Sequence, residues 1–260
     1  MCSTTWTPLE VASNSHPVEL KAWRAVEAQH LVSTLALVDS LDEQHELELL
    51  LESSKPALEQ PLQGLHWLLF TPFRYPPLPT GSRFRGPHHP GVLYAAEEIR
   101  TACAELGYWR WRFLMDSPDL VAIAAKPQTV FRLAVAASAV DLRAEPFREE
   151  RAAWTHPSDY SSCQSFAATT RDASVEAIRY ESVRDPEHGT CVAVLSPTAL
   201  AKREPLEAQT WLLSVTRAKV FWHRNNVIES SQLEFSWPGH GSVLPPTSPA
   251  PKVRPARTKG

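Results

Sequence analysis

The side chains best suited to chemistry gather in residues 69–105. Arg74, Arg83 and Arg85 sit in a Pro/Gly-rich stretch, Tyr94 follows in a short apolar run, and Glu105 lies on the helix-patterned segment after it. A guanidinium fork binds phosphate oxygens two at a time. A carboxylate aligned in a dry site stabilises a cationic transition state. Together these residues could clamp an anionic substrate and favour positive charge growing on it. Taken singly, each has a plainer use: the arginines in surface ion pairs, Tyr94 as a core aromatic, and Glu105 as a solvated acid on a helix flank.

Other constellations are weaker. His88 and His89 stand between prolines with no third ligand near them in sequence, and His188-x-x-Cys191 has no second pair, so no metal site is expected. Cys163 has no paired base and reads as a small buried residue. Trp109 and Trp111 alternate with Arg110 and Arg112, a pattern that could stack bases and hold phosphates. On a strand the same alternation places aromatics on a core and arginines in water. No Walker A sequence, Rossmann glycine fingerprint or G-x-S-x-G elbow occurs.

The elements that must position these residues read as follows. Residues 1–16 are polar and aperiodic and read as a flexible lead-in. Ala22, Trp23 and Val26 suggest a helix over 17–38. A second helix fits 41–54, capped by Ser40 with Glu43 in capping-box spacing. The apolar run 65–70 reads as a buried strand, and the prolines of 72–79 end it. A strand at 92–96 leads into a helix from Glu97 that Gly107 can end. Further strands are expected at 108–114, 129–140, 177–180 and 191–195, with an antiparallel pair at 209–215 and 218–223. A helix is expected at 160–172, with Ser158 or Asp159 as its cap. The loop between 180 and 191 holds Ser182 and Arg184.

This interleaving predicts an α+β fold: a single domain with a central antiparallel or mixed sheet and flanking helices. The expected division is an N-terminal helical extension (1–65), a catalytic domain (66–236) and a disordered Pro-rich tail (237–260). The chain has 260 residues, 43% hydrophobic, and a net charge of −3, which suits a globular protein and argues against a dedicated nucleic-acid binder. The N-terminus lacks the basic and apolar regions of a signal peptide, and no run reaches the roughly 18 apolar residues of a membrane helix. Four scattered cysteines without a C-x-x-C fit a reducing, cytoplasmic setting.

The segment GSRFRGPHHPGVLYAAEEIRTACAE resembles the core signature of RES-domain proteins, named for an Arg, a Glu and a Ser. In that family an Arg in a G-x-R-[FW] segment precedes a Tyr in an apolar strand, which precedes a Glu ending an A-x-x-E turn. Arg83, Tyr94 and Glu105 match in order and at even intervals. Arg74-Tyr75 resembles an upstream Arg-Tyr pair of the family. Ser182 in IRYESVRDP matches the family Ser, with Tyr160 and Gln164 as further likeness. The resemblance spans residues 66–224.

The resemblance implies a toxin of a toxin–antitoxin pair, neutralised by a Xre-type helix-turn-helix antitoxin, with a fold similar to ADP-ribosyltransferase toxins. It implies that NAD+ is the substrate, cleaved at the nicotinamide N-glycosidic bond by hydrolysis or by phosphorolysis with inorganic phosphate as co-substrate. No cofactor or metal is implied. Nicotinamide leaves as a neutral molecule, so a general acid is not needed, and the transition state is oxocarbenium-like. Glu105 would stabilise that charge or hold a ribose hydroxyl. Arg74 and Arg83 would hold the pyrophosphate or the attacking phosphate. Tyr75 or Tyr94 would face the nicotinamide ring, and Ser182 would bond the ribose or the carboxamide. Two departures stand out: residues 1–65 are longer than in compact members, and Thr190-Cys191 occupies a region where the family often has Asn. The rival readings are an ADP-ribosyltransferase acting on a macromolecule, for which Gln232-Leu233-Glu234 is a Q-x-E match, and a non-enzymatic interaction module. The expected partners are NAD+ and the antitoxin, with a homodimer also considered and no nucleic acid or membrane.

Overall fold

The computed structural model describes residues 6–28, 40–77, 79–225 and 230–238. Their fold is mixed α/β: helices flank a central eight-stranded sheet ordered β1-β2-β5-β4-β3-β6-β7-β8. The strands are β1 (His16–Glu27), β2 (Leu93–Ala96), β3 (Ala122–Asp141), β4 (Ala177–Glu181), β5 (Thr190–Val194), β6 (Glu207–Thr216), β7 (Val220–Asn225) and β8 (Ser230–Phe235). Only β3 and β4 pair in parallel among these neighbours.

The long strand β3 explains the shape. Its residues 128–139 pair antiparallel with β1, residues 122–132 with β6, and its last residues with β4. Because β1 also bonds to β2 at Trp23 and Ala96, the five strands β1, β2, β5, β4 and β3 close on themselves. Strands β6, β7 and β8 extend from the other edge of β3. A closed set has fewer open edges to protect.

The N-terminal region corrects two expectations. Residues 16–27 form a strand, not a helix. Val18, Leu20, Ala22 and Val26 pack on one side with Leu133 and Val135, while Trp23 and Ala25 meet the core on the other. Ala22, Trp23 and Val26 share a helix face, but Val18, Leu20, Ala22 and Val26 alternate at period 2, with Trp23 on the opposite face, and Leu20, which a helix leaves off its face, fits only the strand. Twelve paired residues with β3 then decide the outcome. The rest of the expected helix, 29–38, lies outside the described residues. Nor is the lead-in shapeless. Helix α1 (Pro8–Ser13) is closed by a capping box between Thr7 and Glu10, and Val11 is fully buried. Trp6 packs on Phe147 and Phe166.

Helix α2 (Leu41–Ser53) forms as expected, with the Glu43 amide donating to the Ser40 hydroxyl. Leu49, Leu50 and Leu51 are exposed on it. The run expected as a strand at 65–70 belongs instead to helix α3 (Trp67–Arg74), capped by His66, whose Nδ1 accepts from the Leu68 amide. A short apolar run does not distinguish a strand from a buried helix face, and here Leu68 and Leu69 are the buried residues.

Helix α4 (Ile99–Met115) runs through Gly107, so the strand expected at 108–114 is its second half. A Cβ at Gly107 would sit 3.1 Å from Val220 Cγ1 and 3.2 Å from Trp222 Nε1. The glycine therefore lets α4 lie close on β7 rather than ending the helix. At helical spacing Trp111 and Leu114 are buried, while Trp109 and Phe113 face outward. The Trp/Arg alternation thus forms no strip on one face: Arg110 pairs with Glu27 and Arg112 with Asp116.

Helices α5 (Arg151–Trp154) and α6 (Ser161–Asp172) complete the layer, with the Asp159 carboxylate accepting from the Ser161 amide at the start of α6. Strand β8, which sequence patterning did not anticipate, pairs along β7. The expected disordered tail lies outside the described residues from 239 onward, while Trp237 packs on Tyr108 and Trp111. No helix among the described residues is long and apolar enough to cross a membrane.

Candidate active site

Glu105 projects from the middle of α4 toward the ends of β2, β4 and β5. The Ser182 hydroxyl, just past β4, donates to Glu105 Oε1 at 2.5 Å. Ser182 is itself fixed: its Oγ accepts from the amides of Arg184 (3.2 Å) and Asp185 (2.9 Å). Asp185 is buried, accepts from Thr101 Oγ1 at 2.7 Å, and is gripped by Arg100, so the loop after β4 is tied to the first turn of α4. Gly189 closes that loop, and a Cβ there would fall 2.1 Å from Thr101 Oγ1.

Burial pushes the Glu105 carboxyl above the ordinary carboxylate range. The Ser182 hydroxyl and the guanidinium groups of Arg184 and Arg83 oppose that shift, while Asp185 adds to it. Cys191 Sγ stands 3.9 Å from the same Oε1, and the burial of this thiol raises its pKa well above normal. A buried neutral thiol is a packing surface, not a nucleophile.

Glu105 lines a cavity of about 540 Å³. Arg83, Tyr94 and Arg184 line it too, with Tyr160 and Trp109 at its aromatic walls. Arg83 is almost fully buried. Its Nη1 donates to the Trp154 carbonyl at 2.8 Å and its guanidinium lies 4.6 Å from the Tyr160 ring centroid. Tyr94 Oη accepts from the Phe84 amide at 2.9 Å and shares a hydrogen bond with Ser82 Oγ at 2.8 Å. Tyr94 therefore shapes the 82–85 loop that carries Arg83. Gly81, with φ of +68°, makes the tight entry to this loop.

Arg83, Tyr94, Glu105 and Ser182, far apart in sequence, thus meet in one place. Arg74 and Tyr75 do not join them. Arg74 Nε donates to the Pro56 carbonyl at 2.7 Å, and Tyr75 is exposed, its carbonyl accepting from Arg85. Neither lines the cavity.

Two arginines at the cavity carry no role in the sequence reading. Arg184 is buried, with its guanidinium 4.1 Å from the Tyr108 ring centroid and its Nη2 donating to Tyr160 Oη at 3.1 Å. Arg24 comes from β1. Its Nη1 donates to the Tyr94 carbonyl at 2.6 Å, its buried Nε has no partner among the described residues, and burial pushes its pKa down to about 10. The helical reading of 17–38 hid Arg24, because only strand pairing brings β1 beside β2. The Q-x-E triplet lies on β8, where Gln232 pairs with His223 and Glu234 bridges Lys219 at 2.5 Å, and it is not part of the cavity.

The matched segment and this geometry define the class. The chain belongs to the RES domain family, whose model matches residues 58–216. Among solved structures, it is similar to the crystal structure of the M. tuberculosis MbcT–MbcA toxin–antitoxin complex, at 11% identity and a TM-score of 0.47, over 81% of this chain and 92% of that one. No curated protein matches the chain significantly. Strand β1 lies before the matched segment and strands β7 and β8 after it, yet all three belong to the same sheet.

Proposed function

We propose that this protein is a toxin that degrades NAD+ by cleaving its nicotinamide N-glycosidic bond. The observation that carries this reading is the junction of Ser182, Glu105 and Arg83 at one cavity inside the RES segment. In the reaction, positive charge grows on the ribose as neutral nicotinamide leaves. The Glu105 carboxylate faces that charge, and Ser182 orients it. Arg83, Arg184 and Arg24 supply guanidinium groups for the pyrophosphate or for inorganic phosphate. Trp109 and Tyr160 offer ring faces for the planar bases.

Phosphorolysis is the favoured outcome, giving ADP-ribose 1″-phosphate and nicotinamide, and the cluster of arginines supports it because an attacking phosphate needs cations of its own. The RES resemblance further suggests a Xre-type helix-turn-helix antitoxin as the neutralising partner. The decisive assay incubates the purified protein, free of any bound partner, with NAD+ in the presence and absence of phosphate, and follows nicotinamide and the ADP-ribose product. Phosphate-dependent release is expected. Phosphate-independent release would assign hydrolysis, label on protein or nucleic acid would assign ADP-ribosyl transfer, and no turnover would remove the enzymatic reading.

A further inference from the structure

Beyond the segment that the family model matches, the end of the described chain reaches back to the candidate site. Trp237 follows β8 and donates its indole Nε1–H to the Arg184 carbonyl at 2.7 Å. Its ring packs between Tyr108 (centroids 5.4 Å) and Trp111 (5.5 Å) on α4 and stacks on Phe235 (6.1 Å). Tyr108 is also the ring under the Arg184 guanidinium, at 4.1 Å. Arg184 is therefore held at every end: its amide on Ser182 Oγ, its carbonyl on Trp237, and its side chain on Tyr108 and Tyr160.

A second contact runs in parallel. Phe235 on β8 lies 5.0 Å from the Arg100 guanidinium, and Arg100 grips Asp185, whose amide bonds Ser182. The chain end thus reaches the 182–185 loop twice, directly from Trp237 to the Arg184 carbonyl and indirectly from Phe235 through Arg100 to Asp185. An indole N–H has a single donor, and here it is spent on the loop that carries the site instead of on its own strand.

We infer that Trp237 is a positioning residue: it fixes the Arg184 backbone so that the guanidinium stays in the cavity to receive the anionic part of the substrate. This rests on the NAD+-degrading reading for its substrate, although the positional part is measurable without it. Substituting Phe keeps most of the ring packing and removes the donor. In the full chain, W237F should raise KM for NAD+ about threefold to tenfold, the range set by one lost hydrogen bond, with kcat changed less than twofold. In an R184A background the same substitution should add nothing to the KM effect, because the carbonyl that Trp237 holds remains but no guanidinium is left to be positioned. Hydrogen exchange gives a readout independent of turnover: W237F should speed exchange at residues 182–189 and leave β3 unchanged.

An unaltered KM together with unaltered exchange at 182–189 overturns the inference. So does a KM effect that is fully additive with R184A, which would mean that Trp237 acts only through packing. If the wild-type protein does not turn over NAD+, the proposed function fails, and the exchange experiment still decides whether Trp237 holds the loop.

Discussion

Ser182 and Glu105 are separated by 77 residues and joined by a 2.5 Å hydrogen bond in which the hydroxyl donates to the carboxylate. Neither residue has a local reason to be where it is. Glu105 sits on the flank of a helix, and Ser182 in a loop whose amides converge on its oxygen. What fixes the pair is the Thr101–Asp185 bond at 2.7 Å, which staples the loop to that helix.

Replacing Glu105 by Gln should separate function from stability. Gln keeps the shape and still accepts from Ser182, but it carries no charge. Turnover should fall by ~10²-fold or more, the scale of losing one preorganised electrostatic group. Stability should move the other way. The carboxyl pKa is raised in the folded state, so the native wild type binds its proton more tightly than the unfolded chain, and stability is lost as pH rises from the ordinary carboxylate range through the folded value. Glu105→Gln should therefore raise Tm at neutral pH, with the difference vanishing in acid. Thermal melts at several pH values, beside the turnover assay, check both parts.

Replacing Ser182 by Ala removes the hydroxyl that holds the Glu105 pKa down. The acid limb of the pH–rate profile should move to higher pH, since more of the carboxyl stays protonated at any given pH. The amides of Arg184 and Asp185 lose their acceptor as well, at a cost of about 1–3 kcal/mol for buried groups left unpaired. A pH–rate profile unchanged in shape would show that Ser182 does not tune Glu105.

Tyr94→Phe should act through the loop and not through a ring stack. The Phe84 amide would lose its acceptor and Ser82 its partner, destabilising the fold by about 1–3 kcal/mol. Because that loop carries Arg83, KM should rise more than kcat falls. Denaturant unfolding and steady-state kinetics on one preparation would show it.

Arg24 tests whether β1 belongs to the site. Arg24→Gln should weaken binding of ADP-ribose about tenfold or more, as expected for a charge-assisted hydrogen bond worth ~1.5–3 kcal/mol. Calorimetric titration reads this directly, and unaltered affinity would return β1 to a purely structural role.

Much of the framework can be read from the sequence. The strands around 92–96, 129–140, 177–180 and 191–195 carry dense apolar runs bounded by turn residues. The pair at 209–223 and the helices at 41–54 and 160–172 have clear periods or caps. The pattern misleads where helix and strand signals overlap. In residues 17–27, Ala22, Trp23 and Val26 suit a helix face while Val18, Leu20, Ala22 and Val26 alternate as in a strand, and pairing with β3, more than a hundred positions away, selects the strand. Residues 108–114 alternate as a strand would, yet they continue a helix because Gly107 fits against β7. The candidate site divides the same way. Arg83, Tyr94, Glu105 and Ser182 are legible because their order and spacing carry a family pattern. Arg24 and Arg184 at the cavity, and Trp237 behind Arg184, are not, because tertiary pairing alone brings them there.

The closure of β1 onto β3 also bears on when the cavity can take shape during synthesis. A chain emerging from the ribosome presents β1 before any other strand among the described residues, but its partner lies more than a hundred residues later, and Ser182 and Trp237 later still. Long-range pairings of this kind form late, after their loop-closure entropy has been overcome. The cavity is therefore incomplete until residues through Cys191 have emerged. Whatever the cavity does is thereby tied to long-range pairings that no early segment of the chain can supply alone.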